Sequence, residues 1–264
     1  MNSASGSSGG STSCAYITLL TSDSFAIGVE TLAFSLRKTG TPHPFIVLVG
    51  PQVSERTFKR LSERKGVEDV RRVDGIANPH AEEGCHEPGW VNSGFTKLHV
   101  WSLTEFQRVV YIDADCIVMR KIDCLFDPAA VSCPAFAPDV FPPDRFNAGV
   151  MVIEPSLAVY EDLLAKRTVL RSYDRGDTGF LNAYFSGWYG WDAKHRLAFH
   201  YNAQRTMHWM THSKQPGYWD ECVLPCLSVL HLSSSPKPWE SPDRKGPTEW
   251  LWWNMHIQMN IEGG

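Results

Sequence analysis

No run of 18 apolar residues occurs in the 264-residue chain, so the sequence offers no membrane-spanning helix. Charge of one sign is also lacking. With 25 basic and 29 acidic residues the formal net charge is −4, without the basic surplus that nucleic acid or an anionic membrane attracts. Any phosphate-bearing ligand must then be held locally, by a metal ion, one or two lysines, or backbone N–H groups. Both glycine-rich phosphate loops, G-x-x-x-x-G-K-[ST] and G-x-G-x-x-G, are missing, as is a Ser/His/Asp or Cys/His set. The cysteines, seven and scattered, give no paired disulfide framework and fit reduced thiols in a cytoplasmic protein. After Met1 no charged-then-apolar leader follows. Residues 1–13, MNSASGSSGGSTS, are Ser/Gly-rich and are expected to be a disordered tail.

What is present is ordinary globular composition, 43% hydrophobic and 20% charged. It suits a single α/β domain over residues 14–264. AYITLL (15–20) and PFIVLVG (44–50) read as strands. Between them SFAIGVETLAFSLRKTG spaces Phe25, Val29, Leu32, Ala33 and Leu36 at helical intervals and stops at Gly40. Strand, helix, strand implies a parallel pair with a right-handed crossover. A second round follows, with VSERTFKRLSERKG as helix and VEDVRRV as strand. FTKLHVWSLTEF (95–106) then reads as helix and RVVYID as strand. Further on, FNAGVMVIEP and CLSVLHLS read as strands. SLAVYEDLLAKRTVL (with Ser156 as N-cap), DTGFLNAYF and TEWLWWNMHIQM read as helices.

Asp113 and Asp115 follow the buried-looking run RVVYI, at the carboxyl end of a strand, where open α/β sheets bind ligands. An Asp-x-Asp where the chain turns can hold a divalent cation, with Mg²⁺ or Mn²⁺ suited to hard carboxylate oxygens. The bland alternative is a strand cap and a turn, but nothing nearby in the sequence offers Asp113 an ion-pair partner. His231 ends an apolar strand and can add an imidazole ligand, which leans towards Mn²⁺. Lys237, between Pro236 and Pro238, is an ammonium aimed with little entropic loss. In DRGDTGFLN, Asp174 and Asp177 are helix caps or grips for sugar hydroxyls. In FNAGV, Asn147 can both donate and accept, while Ala148 and Gly149 leave room. The remaining histidines show no ligand spacing, and CVLPC lacks the companions of a zinc site.

In order, YITLLTSDSFAIG, GFTKLHVWSLTEF, YIDADCIVMRKIDCLFD, FNAGVMVIEPS, GDTGFLNAYF, HLSSSPKPW and WLWWN resemble the glycogenin-like members of glycosyltransferase family 8, from about Ala15 to Trp253. The resemblance implies a GT-A fold with a Rossmann-like, mostly parallel sheet flanked by helices. It further implies Mn²⁺-dependent transfer from a UDP-sugar with retention of anomeric configuration. Carried over residue by residue, it makes Asp113, Asp115 and His231 metal ligands, with Ala114 between them in the donor site. Leu19, Thr21 and Ser22 surround uracil and ribose, and Phe25 stacks on the base. Lys97 and Lys237 contact the donor. Asn147, Ala148, Asp174, Asp177 and Thr178 form the sugar pocket, and Ser234 stands where the family has a glycine at the diphosphate. Asp177, Lys97 and Lys237 become the catalytic candidates. Asp177 is named either for attack or, in the preferred same-face transfer, for orienting sugar or acceptor.

Departures shape the expected function. Glycogenin's own acceptor tyrosine follows a YN dipeptide, but in YNAQRTMHWMTHSK that place is taken by Trp209, which has no hydroxyl. The family's arginine before TKLH falls on Pro88, and Thr178 replaces a glutamine. An external acceptor is therefore expected. The comparison with protist enzymes that cap a glycan on the cytosolic SCF ubiquitin-ligase adaptor implies UDP-galactose, with UDP-glucose as alternative, and a protein-linked glycan. The resemblance also implies a homodimer. Self-glucosylation, galactinol synthesis, glucuronosyl transfer and non-catalytic UDP-sugar binding are the other readings. Nucleotidyl transfer lacks its phosphate loop.

Overall fold

The computed structural model describes residues 13–80, 94–140, 142, 144–243 and 246–263. Strands β1 (Cys14–Leu20) and β2 (Phe45–Val49) flank helix α1 (Ala26–Lys38), the expected crossover unit. Helix α2 (Glu55–Ser62) begins where the Ser54 hydroxyl accepts the Thr57 N–H at 3.2 Å, and β3 (Asp69–Arg72) follows. After β4 (Arg108–Ile112) and β5 (Cys116–Val118) come β6 (Ala135–Pro138), β7 (Phe146–Ile153), helix α3 (Leu157–Lys166) and helix α4 (Asp177–Tyr184). Strand β8 (Ala203–Gln204), α5 (Arg205–Thr211), β9 (Val229–His231) and α6 (Pro247–Ile261) complete the chain.

Six strands form the main sheet in the order β3-β2-β1-β4-β7-β6, and β5-β9-β8 form a second. The first four are parallel, and β7 runs antiparallel to both its neighbours, β4 and β6. Strands β1, β2 and β4 are buried along their whole length, as expected of parallel strands covered on both faces. Alternate residues feed two cores. Tyr16, Val47 and Val110 meet Val29 and Leu32 of α1, whereas Ala15, Ile17 and Val109 meet Phe95, Leu98 and Phe180 on the other face.

One expected element differs in kind. Residues Gly94–Ser102 wind as a 3₁₀ helix rather than an α-helix. Phe95, Leu98 and Trp101 recur every three residues and are all buried, so this tighter winding stacks them on one side. The Ser/Gly-rich residues 1–12 and Pro88 lie outside the described residues.

Candidate active site

The two aspartates sit where the chain passes from one sheet to the other. Asp113 extends the β4–β7 pairing, its N–H donating to the Gly149 carbonyl at 2.8 Å. The chain then turns, with Cys116 N–H donating to Asp113 O at 3.0 Å, and enters β5, which pairs with β9. His231 ends β9, and the Leu232 N–H returns to Asp115 O at 2.9 Å.

The expectation that Asp113 has no ion-pair partner is corrected. Lys97 Nζ lies 3.0 Å from Asp113 Oδ1 and 2.6 Å from Asp177 Oδ2, and it also donates to Ala148 O at 3.2 Å. Tyr111 donates its hydroxyl to Asp113 Oδ1 at 2.7 Å. Lys97 lies 16 residues from Asp113 and 80 from Asp177 along the chain, and only the folded sheet brings the three together. On the other side of the turn, Asp115 Oδ2 accepts from Lys237 Nζ at 2.6 Å, and its Oδ1 lies 3.4 Å from His231 Nε2.

These surroundings drive the two carboxyls apart in acidity. Burial raises Asp113; the pull of Lys97 opposes this, but nearby Asp115 reinforces it. Burial acts on Asp115 too, yet Lys237 and then His231 outweigh it and hold that carboxyl far below its usual range. Lys97 is raised, because Asp113 and Asp177 overcome the burial that would lower it. Asp115 therefore stays ionised, and Lys97 charged, at neutral pH.

This cluster sets three carboxylates, Asp113, Asp115 and Asp177, against two ammoniums, Lys97 and Lys237. A surplus of negative charge beside an imidazole nitrogen is a donor set that a hard-to-borderline divalent ion fits. Among the described residues, Asp115, Cys116 and His231 place ligand atoms within 4.8 Å of one another. The Cys116 thiol is a poor member: burial, with Asp115 and Asp113 nearby, pushes its pKa well above the usual range and keeps it protonated. The Asp115 carboxylate and His231 imidazole would hold the ion; Asp113, the third ligand expected from the sequence, is not in this group.

Of the other sequence candidates, Ala148 and Thr178 join this centre through Lys97 and the Ala148 peptide. A cleft of about 180 Å³ is lined by Thr21, Gly50, Gly75, Ile76, Ala77 and Thr96, at the carboxyl ends of β1, β2 and β3. Phe25 is edge-on to Trp239 with ring centroids 5.4 Å apart, and Lys237 Nζ is 5.8 Å from the Phe25 centroid. Leu19 turns its side chain into the core, and Ser22 Oγ pairs with Ser24 Oγ at 2.8 Å. Thr178 Oγ1 accepts the Ala148 N–H at 3.3 Å. Asp174 spends one oxygen on its own loop, Oδ1 accepting from Ser172 Oγ (2.7 Å), Gly176 N (2.8 Å) and Gly179 N (2.9 Å). By contrast Asp177 Oδ1 is buried without a hydrogen-bond partner.

Ser234 adopts φ +67°, the left-handed region, so its backbone is one that glycine enters freely. Gly28 of α1 marks another close approach. A Cβ there would collide with the Ala114 carbonyl oxygen and lie 2.9 Å from Trp239 Cη2.

Several site residues escaped the sequence reading. Arg205, 1% exposed, pairs with Glu249 at 3.1 Å and gathers the carbonyls of Ser233, Ser234 and Pro236, pinning the loop that carries Lys237. Asn202, fully buried, receives the His231 ring at 2.8 Å. Gly75, Ile76 and Ala77 could have been found, since they follow a parallel strand's carboxyl end. Nothing in the local sequence distinguishes Arg205 or Asn202.

No protein-family model matches the chain. It superposes on the galactosyltransferase LgtC, solved in complex with donor and acceptor sugar analogs. The TM-score is 0.63 at 19% identity, covering 93% of this chain and 95% of that one. Its fold is that of the GT-A glycosyltransferases.

In sequence it is 36% identical over 226 residues, 85% of its length, to Glycogenin-1 of Mus musculus. Over 175 residues, 66% of its length, it is 38% identical to Inositol phosphorylceramide glucuronosyltransferase 1 of Arabidopsis thaliana. The chain spans 65% of the mouse protein and 30% of the plant protein. The chain is thus similar in sequence to glycogenin and in fold to the GT-A glycosyltransferases.

Proposed function

We propose that this chain is a retaining, Mn²⁺-dependent transferase. It moves a hexose, galactose in preference to glucose, from a UDP-sugar to an external glycan and forms an α-linkage. The observation that carries this reading is the buried cluster of three carboxylates, two ammoniums and one imidazole beside the strand-end cleft. The similarity to Glycogenin-1 and the GT-A fold support it.

Asp113, Asp115 and His231 would hold Mn²⁺, which when bound supplies a Lewis acid for the diphosphate. Lys237, now paired with Asp115, is poised to turn its ammonium to a departing phosphate oxygen and meet the charge that develops there. Lys97 ties Asp177 to the strand-end turn, so the sugar-side carboxylate is rigidly placed. With Oδ2 engaged by an ammonium at 2.6 Å, Asp177 is a weakened nucleophile. Its Oδ1, buried and without a hydrogen-bond partner among the described residues, would accept a sugar hydroxyl once a neighbouring segment makes room. That division favours same-face transfer with Asp177 as an orienting group. Asp177→Ala should then lower kcat about 100-fold; near-normal turnover would remove the role.

Trp209 on α5 supports an external acceptor, since its indole offers no hydroxyl and its ring lies 4.2 Å from the Arg205 guanidinium carbon. In this reading the acceptor is a protein-linked glycan, such as that of the cytosolic SCF adaptor, and the enzyme is a cytoplasmic homodimer. No described helix is long and apolar enough to cross a membrane.

The test is UDP release from UDP-galactose, UDP-glucose and UDP-glucuronate, with Mn²⁺ and with chelator, then with aryl glycosides as acceptors. Chelator-sensitive release, fastest with UDP-galactose, is expected. Release from none of the three with Mn²⁺ present would overturn the proposal, and a covalent hexose on the purified chain would overturn the external acceptor.

A further inference from the structure

We infer that Asn147 and Asn202 form a hydrogen-bond relay that fixes His231 in its Nδ1–H tautomer and leaves Nε2 bare towards Asp115. This makes both asparagines positioning residues for the cation.

The relay starts from a group whose polarity is beyond doubt. The backbone N–H of Gly149 points at the Asn147 side chain, 2.8 Å from Oδ1. A donor there requires the oxygen, not the amine, of that amide. The same Asn147 oxygen is 2.9 Å from Asn202 Nδ2, so Asn202 must present its amine to Asn147 and its oxygen to the other side. That oxygen lies 2.8 Å from His231 Nδ1. Two lone pairs at 2.8 Å would repel, so Nδ1 carries the hydrogen. In the neutral ring Nε2 is then unprotonated, and its lone pair faces Asp115 Oδ1 at 3.4 Å. The opposite tautomer would trade a bond of ordinary length at Nδ1 for one at the long limit at Nε2.

Two acceptors facing each other in a buried space are what a cation between them resolves. A metal-binding histidine whose second nitrogen is held by a fixed acceptor is the general pattern for such sites. Gly149 serves the relay twice. It donates the first hydrogen bond, and it leaves the space in which a Cβ would lie 2.5 Å from His231 Cε1 and 2.6 Å from Nδ1. The wiring also narrows Asn147's expected role. Its oxygen is consumed by Gly149 and Asn202, so towards a donor sugar it can only donate.

The inference rests on the metal-dependent reading above for its purpose, but not for its geometry, and the experiment separates the two. Long-range ¹H–¹⁵N correlation spectra of the metal-free protein at pH 8 report each imidazole's tautomer. His231 is assigned by loss of its signals in His231→Gln. The wild type should show a pyrrole-like Nδ1 and a pyridine-like Nε2. Asn202→Leu and Asn147→Leu should lose that pattern, while Asn147→Asp, which keeps the acceptor, should retain it. In parallel, Mn²⁺ binding with and without UDP, followed by electron paramagnetic resonance of the free ion, should weaken about 10- to 100-fold in the leucine variants. Asn147 is only half-buried, so Asn147→Leu carries the test if Asn202→Leu does not fold. An Nε2–H wild type, or leucine variants with an unchanged tautomer, would overturn the relay. A wild type with the Nδ1–H tautomer that binds no Mn²⁺ would uphold the relay and overturn the metal-dependent function instead.

Discussion

Asp113 and Asp115 are one residue apart, yet the regions on either side of their turn are built differently. On the Asp113 side, Lys97 and Tyr111 bond the carboxylate, and Lys97 links it to Asp177 of α4. On the Asp115 side, Lys237 and His231 come from a loop and from the short central strand of the second sheet, and burial is outweighed by charge. The first region is a packed internal brace. The second is a set of charges assembled from a strand end and a loop. In the proposed function one motif would then perform two jobs: anchoring Asp177 through Lys97 and, with His231, presenting carboxylates to a cation.

The sharpest way to break this contrast is to neutralise each aspartate in turn. Asp115→Asn should reduce kcat/KM for UDP release about 1000-fold, corresponding to about 4 kcal/mol of transition-state stabilisation. Asp113→Asn should also lower activity but leave the urea midpoint nearly unchanged, since burial already disfavours that charge. Equal effects on both measurements would erase the distinction.

The lysines extend it. Lys97→Met leaves Asp113 and Asp177 buried without their counter-charge and should cost about 3–5 kcal/mol in denaturant unfolding. Lys237→Met should instead lower kcat about 100-fold with a smaller loss of stability. Should Lys237→Met prove the more destabilising change, the roles assigned to the two sides would have to be reversed.

Smaller effects test the backbone. Gly149→Ala should displace the His231 ring and weaken Mn²⁺ about tenfold in titration calorimetry. Ser234→Gly, which relieves a left-handed non-glycine residue, should shift stability by no more than about 1 kcal/mol, in the stabilising direction, with activity retained.

How far the sequence revealed this site follows from how locally each part is specified. The apolar run RVVYI announced a strand, and carboxylates directly after it announced a ligand edge, because strand-end position and side-chain chemistry both lie within a few residues. His231 was readable in the same way. The Lys97–Asp177 brace was not, since it depends on a 3₁₀ helix and α4 meeting behind the sheet. The winding at Gly94–Ser102 was itself missed, although the three-residue spacing of Phe95, Leu98 and Trp101 was present in the sequence. Asn202 entered only as a landmark in YN, because its value lies in where its amide points, which composition and spacing do not encode. Asp174 was readable as a cap, and the loop bonds favour that plainer role for its Oδ1.

Gly28 carries a consequence of another kind. Helix α1, the Ala114 peptide and Trp239 converge on a position that has no side chain. Three segments far apart in the chain thus share one pivot, and the aromatic wall beside Lys237 rests directly on the helix that follows Phe25. Bulk added at Gly28 would therefore press on the Ala114 peptide and Trp239 together, so one side chain there would disturb both the Asp113–Asp115 turn and the aromatic wall beside Lys237.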